Sequence, residues 1–222
     1  MSDTWNAVDE YVSGLVVKPD AALDAALTST AAAGMPPIAV SAAQGKLLHL
    51  IARMIGAERI LEVGTLGGYS TIWMARALPA SGRLISLEID PRHGEVARAN
   101  LARAGVDGVA EVRIGAALDT LPKLAEEKVG PFDLVFIDAD KANIPEYFKW
   151  GLKLGRPGAV IVVDNVIRNG AVLDDSGRDA NVAGVRRLNE LLNSLPEVEA
   201  TTVQTVGSKG YDGFTLAIAG RS

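Results

Sequence analysis

An apolar run, Ile60-Leu61-Glu62-Val63, stops abruptly in Gly64-Thr65-Leu66-Gly67-Gly68-Tyr69-Ser70. Glycines between a strand and a helix let the backbone pass close to a ligand. The spacing is not the G-x-G-x-x-G of dinucleotide sites, because Leu66 stands where the second glycine would be. Glu62 places a negative charge just ahead of the glycines. That charge would repel a pyrophosphate and suits a cationic ammonium or sulfonium instead. S-adenosylmethionine (SAM) carries both, with a ribose and no phosphate. Glu88 ends the next apolar run, 20 residues after Gly68, and a carboxylate there can accept hydrogen bonds from both ribose hydroxyls. The plain alternative is a tight strand–helix turn with an incidental glutamate.

Two later runs also end on oxygen-bearing side chains. Phe136-Ile137 leads into Asp138-Ala139-Asp140-Lys141, and Val162-Val163 leads into Asp164-Asn165. Neighbouring strands lie about 4.8 Å apart, so Asp138, Asp164 and Asn165 can converge at one sheet edge, beside the glycine loop. Three oxygen donors, two of them anionic, suit a hard cation such as Mg²⁺ with positions left for other ligands. The alternative is that these residues only end strands or cap helices. Lys141 supports two readings. A neighbouring dication would destabilise its ammonium and let it take a proton from a substrate hydroxyl, or it is a solvated lysine paired with Asp138 or Asp140.

These residues need a parallel sheet to bring them together. Arg59 to Val63, Arg83 to Glu88, Ala110 to Ile114, Asp133 to Ile137 and Ala159 to Val163 read as strands. Helical segments separate them: Ser70 to Leu78, Pro91 to Ala104, Leu118 to Lys128 and Ile144 to Leu154. Alternation of this kind implies parallel strands with right-handed crossovers. Residues 1 to about 57 read as a helical cap: Asp3 to Gly14, Asp20 to Ala33, and a third helix from Ser41, with Gln44 completing a capping box. After a helix over Asp179 to Ser194, Val198 to Val206 and Phe214 to Ala219 read as an antiparallel pair joined by the turn-rich residues 207–213. The expected fold is thus α/β, a doubly wound and mostly parallel seven-stranded sheet. It carries N-terminal helices and an antiparallel C-terminal hairpin, all in one domain over 1–222.

Composition narrows the function. Hydrophobic residues make up 48% and charged residues 22% of the 222 residues, with a net charge of −5 and no basic run. Nucleic acid is therefore not the expected partner. Cysteine is absent and only His49 and His93 are present, which disfavours zinc and excludes thiolate chemistry. No basic-then-apolar leader opens the chain, and no apolar run nears the roughly 20 residues of a membrane span. A cytoplasmic protein without membrane contact is the expectation. His49 is expected to be packed and His93 exposed. Trp73 and Trp150 are expected in the core.

The glycine-loop segment 62–70, Phe136-Ile137-Asp138-Ala139-Asp140-Lys141 and Asp164-Asn165 resemble the cation-dependent O-methyltransferases, the caffeoyl-CoA and catechol O-methyltransferase family. The resemblance runs from about Pro36 to Ala219 and includes Val40-Ser41-Ala42-Ala43-Gln44-Gly45 and Tyr211-Asp212-Gly213. It implies a SAM-binding class I methyltransferase fold, a divalent metal, usually Mg²⁺, on Asp138, Asp164 and Asn165, and a homodimer. It also implies that Glu62, Gly64, Ser70 and Glu88 bind SAM, with Val40, Thr65, Ala117 and Asp140 lining its pocket. Lys141 matches the lysine regarded as the base in catechol methyltransferases, so Lys141 and Asp138 form the expected catalytic pair. Asn169 matches a substrate-side position of the caffeoyl-CoA branch, which often has an aromatic residue where this chain has Arg168. The first 35 residues match the family poorly.

The expected activity is methyl transfer from SAM to a hydroxyl of a catechol-like or phenolic small molecule held on the metal. Three other readings stand beside it. They are a metal-independent methyltransferase, a nucleotide-dependent oxidoreductase, against which Glu62 and Leu66 argue, and a non-catalytic SAM-binding protein.

Overall fold

The computed structural model describes residues 2–220. Three helices open the chain: α1 (Ser2–Val16), α2 (Ala21–Ala32) and α3 (Ala42–Met54). Strands and helices then alternate through β1 (Arg59–Val63), α4 (Tyr69–Ala75), β2 (Arg83–Glu88), α5 (Pro91–Arg103), β3 (Ala110–Ile114), α6 (Ala117–Glu126), β4 (Phe132–Ile137), α7 (Ile144–Leu154) and β5 (Gly155–Asp164). Helix α8 (Ala180–Asn193) leads into β6 (Glu199–Gly207) and β7 (Gly210–Ile218). The seven strands form one sheet in the order β3-β2-β1-β4-β5-β7-β6. Strands β1 to β5 are parallel, β7 runs antiparallel to β5, and β6 pairs antiparallel with β7. Strand order reverses between β1 and β4. The loops leaving those two strands therefore splay apart at the carboxyl edge, where open α/β sheets bind ligands.

Side-chain alternation divides the core between the two faces of the sheet. Ile60, Leu84, Leu134 and Phe136 pack with Leu23, Leu48, Ile72 and Leu101, so α2 to α5 cover one face. Leu61, Ile85, Val135 and Ile161 pack with Leu124, Phe148, Val185 and Leu188 under α6 to α8 on the other. Each such fully buried side chain contributes roughly 1.5–3 kcal/mol. Helices α2 and α3 share a core cluster with β1 and α4, so the N-terminal cap holds up one wall of the site.

Local signals set the helix starts. Asp20 accepts from Ala22 N and Leu23 N at 3.0 Å, Asp90 accepts from Arg92 N at 2.8 Å ahead of Pro91, and Asp179 accepts from Asn181 N at 2.8 Å. Ser41 Oγ accepts from Gln44 N at 3.2 Å. Half of the expected capping box is thereby made, while the Gln44 amide lies against Asp164. The C-terminal pair departs from expectation. The turn is only Ser208-Lys209, closed by the Gly207↔Gly210 pair, with Gly210 at φ 88. Tyr211, Asp212 and Gly213 are strand residues opposite Val206, Thr205 and Gln204, because cross-strand pairing outweighs their turn propensity. Helix α1 leaves Val8, Tyr11, Leu15 and Val16 exposed. Among the described residues, no helix is long and apolar enough to cross a membrane.

Candidate active site

A cavity of about 760 Å³ opens at the switch point. Gly64 to Gly67 and Ser70 form its floor, Glu88 and Ala117 one side, and Asp138, Asp140 and Lys141 the other. Asn165 and Arg168 close the far end, and the segment from Pro36 to Val40 lies over it.

The floor depends on two close backbone approaches and one left-handed turn residue. Gly64 has φ +99, and a Cβ on it would fall 2.1 Å from the Asp138 carbonyl oxygen. A Cβ on Gly67 would fall 1.9 Å from Thr30 Oγ1 on α2. Gly68 takes the left-handed conformation, φ 82, at the start of α4, which only glycine adopts freely. Glu88 shapes the same loop. Its Oε2 accepts from Leu66 N at 2.8 Å and Thr65 N at 3.3 Å, and its Oε1 accepts from Asp90 N at 3.0 Å. Its carboxylate thus faces the cavity already fixed, with lone pairs to spare for a diol.

Glu62 is not among the residues that line the cavity. It is fully buried and accepts from Ser70 Oγ at 2.5 Å, Thr71 Oγ1 at 2.5 Å and Ser86 Oγ at 2.6 Å. Of these three hydroxyls, Ser70 is the one that lines the cavity. Burial pushes the Glu62 carboxyl up to about 7, against the three hydroxyl hydrogen bonds, with the Asp138 charge adding to the rise. Folding then favours the protonated form. Wild-type stability should fall, relative to Glu62→Gln, as pH rises from about 4.5 to about 7, by on the order of 3 kcal/mol in total, and the gap should stay flat above that window. Thermal melts across this range check it; a gap independent of pH would show that the acid is ionised throughout.

Asp138 and Asp164 follow the paired residues Ile137 and Val163 of β4 and β5, so the sheet register sets them side by side. Asp138 lines the cavity, while Asp164 is buried at its back. Burial raises the Asp164 carboxyl to about 7 and the Asp138 charge adds to it, with Lys141 opposing. Asn165, at φ 57, turns into the cavity, and its N–H donates to Asp164 Oδ1 at 2.8 Å. Among the described residues no cluster holds three His, Cys, Asp or Glu side chains. The donor set reaches three only through the Asn165 amide. Two carboxylates and an amide, with one ammonium to balance them, still fit a hard dication.

Lys141 sits in the cavity wall, buried, its Nζ 2.7 Å from Asp138 Oδ1. Of the two partners the sequence allowed, Asp138 and Asp140, it pairs with Asp138, and it is buried rather than solvated. A short 3-10 turn, Lys141–Asn143, carries it, pinned from outside by α8. A Cβ on Gly184 would fall 2.0 Å from Lys141 O, and Arg187 Nη2 donates to Ala142 O at 2.8 Å. Asp140 caps that turn through Asn143 N at 3.2 Å and accepts from Tyr147 OH at 2.5 Å. Burial and the Asp140 carboxylate push the Tyr147 phenol up, keeping it a donor.

Two positions differ from expectation. Asn169 is exposed and lines a neighbouring depression, not the main cavity. Asn169 and Gly170, at φ 56 and 86, break the 3-10 segment and swing the side chain outward. His93 is half-buried and lines the cavity, its Nδ1 3.6 Å from Glu88. His49 is partly buried, with Nδ1 3.1 Å from Trp73 O, and Trp73 is in the core as expected.

The sequence reading missed several supports. Thr30 lines the cavity from an alanine-rich helix, and Asn100 Nδ2 donates to Gly67 O at 2.9 Å. Asp212 Oδ1 accepts from Ile167 N and Arg168 N, each at 2.9 Å, and so folds the loop after β5. Ser86 had a legible signal, as a polar residue in an apolar strand standing directly beside Glu62.

A family model described as O-methyltransferase matches residues 16–219. The chain is 55% identical to a catechol O-methyltransferase of Niastella koreensis, over 96% of this chain and 97% of that one. An O-methyltransferase of Bacillus cereus, solved in complex with SAH, superposes with a TM-score of 0.97 at 52% identity, covering 99% of this chain and 100% of that one. The O-methyltransferase TomG of Streptomyces achromogenes, involved in tomaymycin synthesis and solved with SAM, gives 0.96 at 55% identity, over 99% of this chain and 98% of that one.

Proposed function

The chain belongs to the cation-dependent O-methyltransferase family, and from that premise we propose that it transfers the methyl group of SAM to one hydroxyl of a catechol-like small molecule, using a divalent cation, Mg²⁺ being the simplest choice. One observation carries this reading. The glycine loop and the acidic strand ends share a single cavity and touch through Gly64 and Asp138.

Glu88, beside the glycine loop, would take the ribose diol of SAM, and Ser70, held from behind by Glu62, would take its amino-acid end. Val40, Thr65, Ala117 and Asp140, which line the same cavity, would surround SAM. Asp138, Asp164 and Asn165 are the residues that would hold the cation. When bound, a dication acidifies a neighbouring hydroxyl. Lys141 Nζ, beside Asp138, is the side chain that would take the hydroxyl proton, with solvent the alternative acceptor. The oxygen then attacks the methyl carbon as the carbon–sulfur bond breaks toward sulfur, giving a methyl ether and SAH. The cavity walls supply the acceleration by holding oxygen and methyl carbon in line.

The test is transfer of labelled methyl from SAM to a panel of vicinal diphenols, with and without EDTA. Transfer should stop with EDTA and return with excess Mg²⁺. Undiminished rates in EDTA would leave a metal-independent methyltransferase. SAM binding with no transfer to any diphenol would leave a non-catalytic binding protein.

A further inference from the structure

We propose that Arg168 selects acceptors carrying an anionic group, so that the preferred substrate class is an aromatic vicinal diol bearing a carboxylate. The inference rests on the reading of the cavity as a catechol methylation site and adds what that reading leaves open.

Three basic side chains stand in the cavity wall, Lys141, His93 and Arg168. Lys141 is engaged by Asp138 at 2.7 Å, and His93 faces Glu88. Arg168 also lines the cavity. Yet among the described residues its guanidinium enters no ion pair and donates no hydrogen bond; only its backbone N–H is used, on Asp212. The nearby acids are already engaged by other groups. Asp212 Oδ1 accepts from Ile167, Arg168 and Gly213 N–H groups, Asp179 caps α8, and Asp174 accepts from Ser176.

The backbone holds this arginine in place. Arg168 has φ 56, a left-handed conformation unusual for a long side chain. The Asp212 carboxylate fixes it there by binding two successive N–H groups of the loop. Arg168 follows Asn165 by three positions on the loop after β5, and it lines both the cavity and an adjoining depression that has no glycine-loop residue in its wall. That depression, of about 420 Å³, includes Lys209 in its far wall, itself bonded to Pro37 O at 3.2 Å. An acceptor whose diol reaches Asp138 and Asn165 directs its opposite substituent toward Arg168. A planar, permanently charged fork matches a carboxylate there. An ammonium at the same place would be repelled.

The experiment compares 3,4-dihydroxybenzoate, catechol and dopamine as acceptors for wild type, Arg168→Met and Arg168→Lys, by kcat/KM with SAM and Mg²⁺. Wild type should prefer the benzoate over catechol by about tenfold or more, as a charge-assisted bidentate pair implies, and should use dopamine least. Arg168→Met should erase that ratio mainly through KM, and Arg168→Lys should keep part of it. In parallel, calorimetry measures 3,4-dihydroxybenzoate binding to the SAH- and Mg²⁺-loaded protein. Arg168-dependent binding without turnover of any diphenol would support the anion site while sinking the methylation reading. Turnover with an unchanged benzoate-to-catechol ratio in Arg168→Met overturns this inference and leaves that reading intact. An equal loss for all three acceptors would make the guanidinium a stacking plane and also overturn it.

Discussion

Asp164→Ala should reduce methyl transfer by at least about 10³-fold while leaving the metal-free protein as stable as wild type, or more so. The two halves of that expectation have separate causes. Asp164 is one of two carboxylates that β4 and β5 set side by side, and it is buried. Without it, Asp138 alone faces an ammonium 2.7 Å away, and one carboxylate already paired with lysine is a poor seat for a dication. On the proposed reading, catalysis should be lost with the cation.

Stability moves the other way because of proton linkage. The Asp164 carboxyl is raised from 3.8 to about 7. A raised folded value means that the group costs stability as pH rises from about 3.8 toward 7, and above that the cost is constant. Removing the acid at pH 8 relieves that cost against the loss of a few contacts. Thermal melts with and without Mg²⁺ check both halves. Wild type should be stabilised by Mg²⁺ and the variant should not respond. Wild-type turnover in the variant, or an undiminished response to Mg²⁺, would show that the cation is held elsewhere.

The acidic pair was legible because a parallel sheet brings every strand's carboxyl end to one edge, and the alternation of apolar runs with helical segments is a sequence property. Strand order was not needed to place Asp138 near Asp164, since consecutive strands usually neighbour each other. What a side chain faces was harder to read. Glu62 looks like a ligand contact because it precedes the glycines. In the fold it points at Ser70 and Thr71 of α4 and Ser86 of β2, so only Ser70 comes from its own loop and the other two partners come from packing. Asn169 lies outside the main cavity for a local reason, a pair of left-handed residues that no composition rule announces. The hairpin after α8 was drawn too loose because Gly207, Gly210 and Gly213 read as turn residues, whereas Gly213 is in a strand under Val203 O, 2.4 Å from where its Cβ would be.

Gly64→Ala should damage fold and site together. The alanine must adopt φ +99, and its Cβ would sit 2.1 Å from Asp138 O and 2.8 Å from Asp138 C, both backbone atoms that no side-chain rotation can move. Those strand ends are also tied by hydrogen bonds, Asp138 N to Val63 O at 2.8 Å and Gly64 N to Leu87 O at 2.9 Å. Relief therefore means spreading β1 from β4. Left-handed strain and overpacking together cost on the order of 3 kcal/mol. Because the same movement shifts the glycine loop and Asp138, SAH affinity should fall with turnover, each by about 10²-fold or more, as ångström-scale misplacement does. Gly105→Ala separates the two causes. That glycine also has a positive φ, +67, yet nothing lies within 4 Å of its would-be Cβ, so it should cost only about 1 kcal/mol and leave SAH binding alone. Urea unfolding and SAH titration of the two variants decide the matter: equal destabilisation, with cofactor affinity retained in both, would mean that the contact between the glycine turn and the Asp138 carbonyl does not position the site.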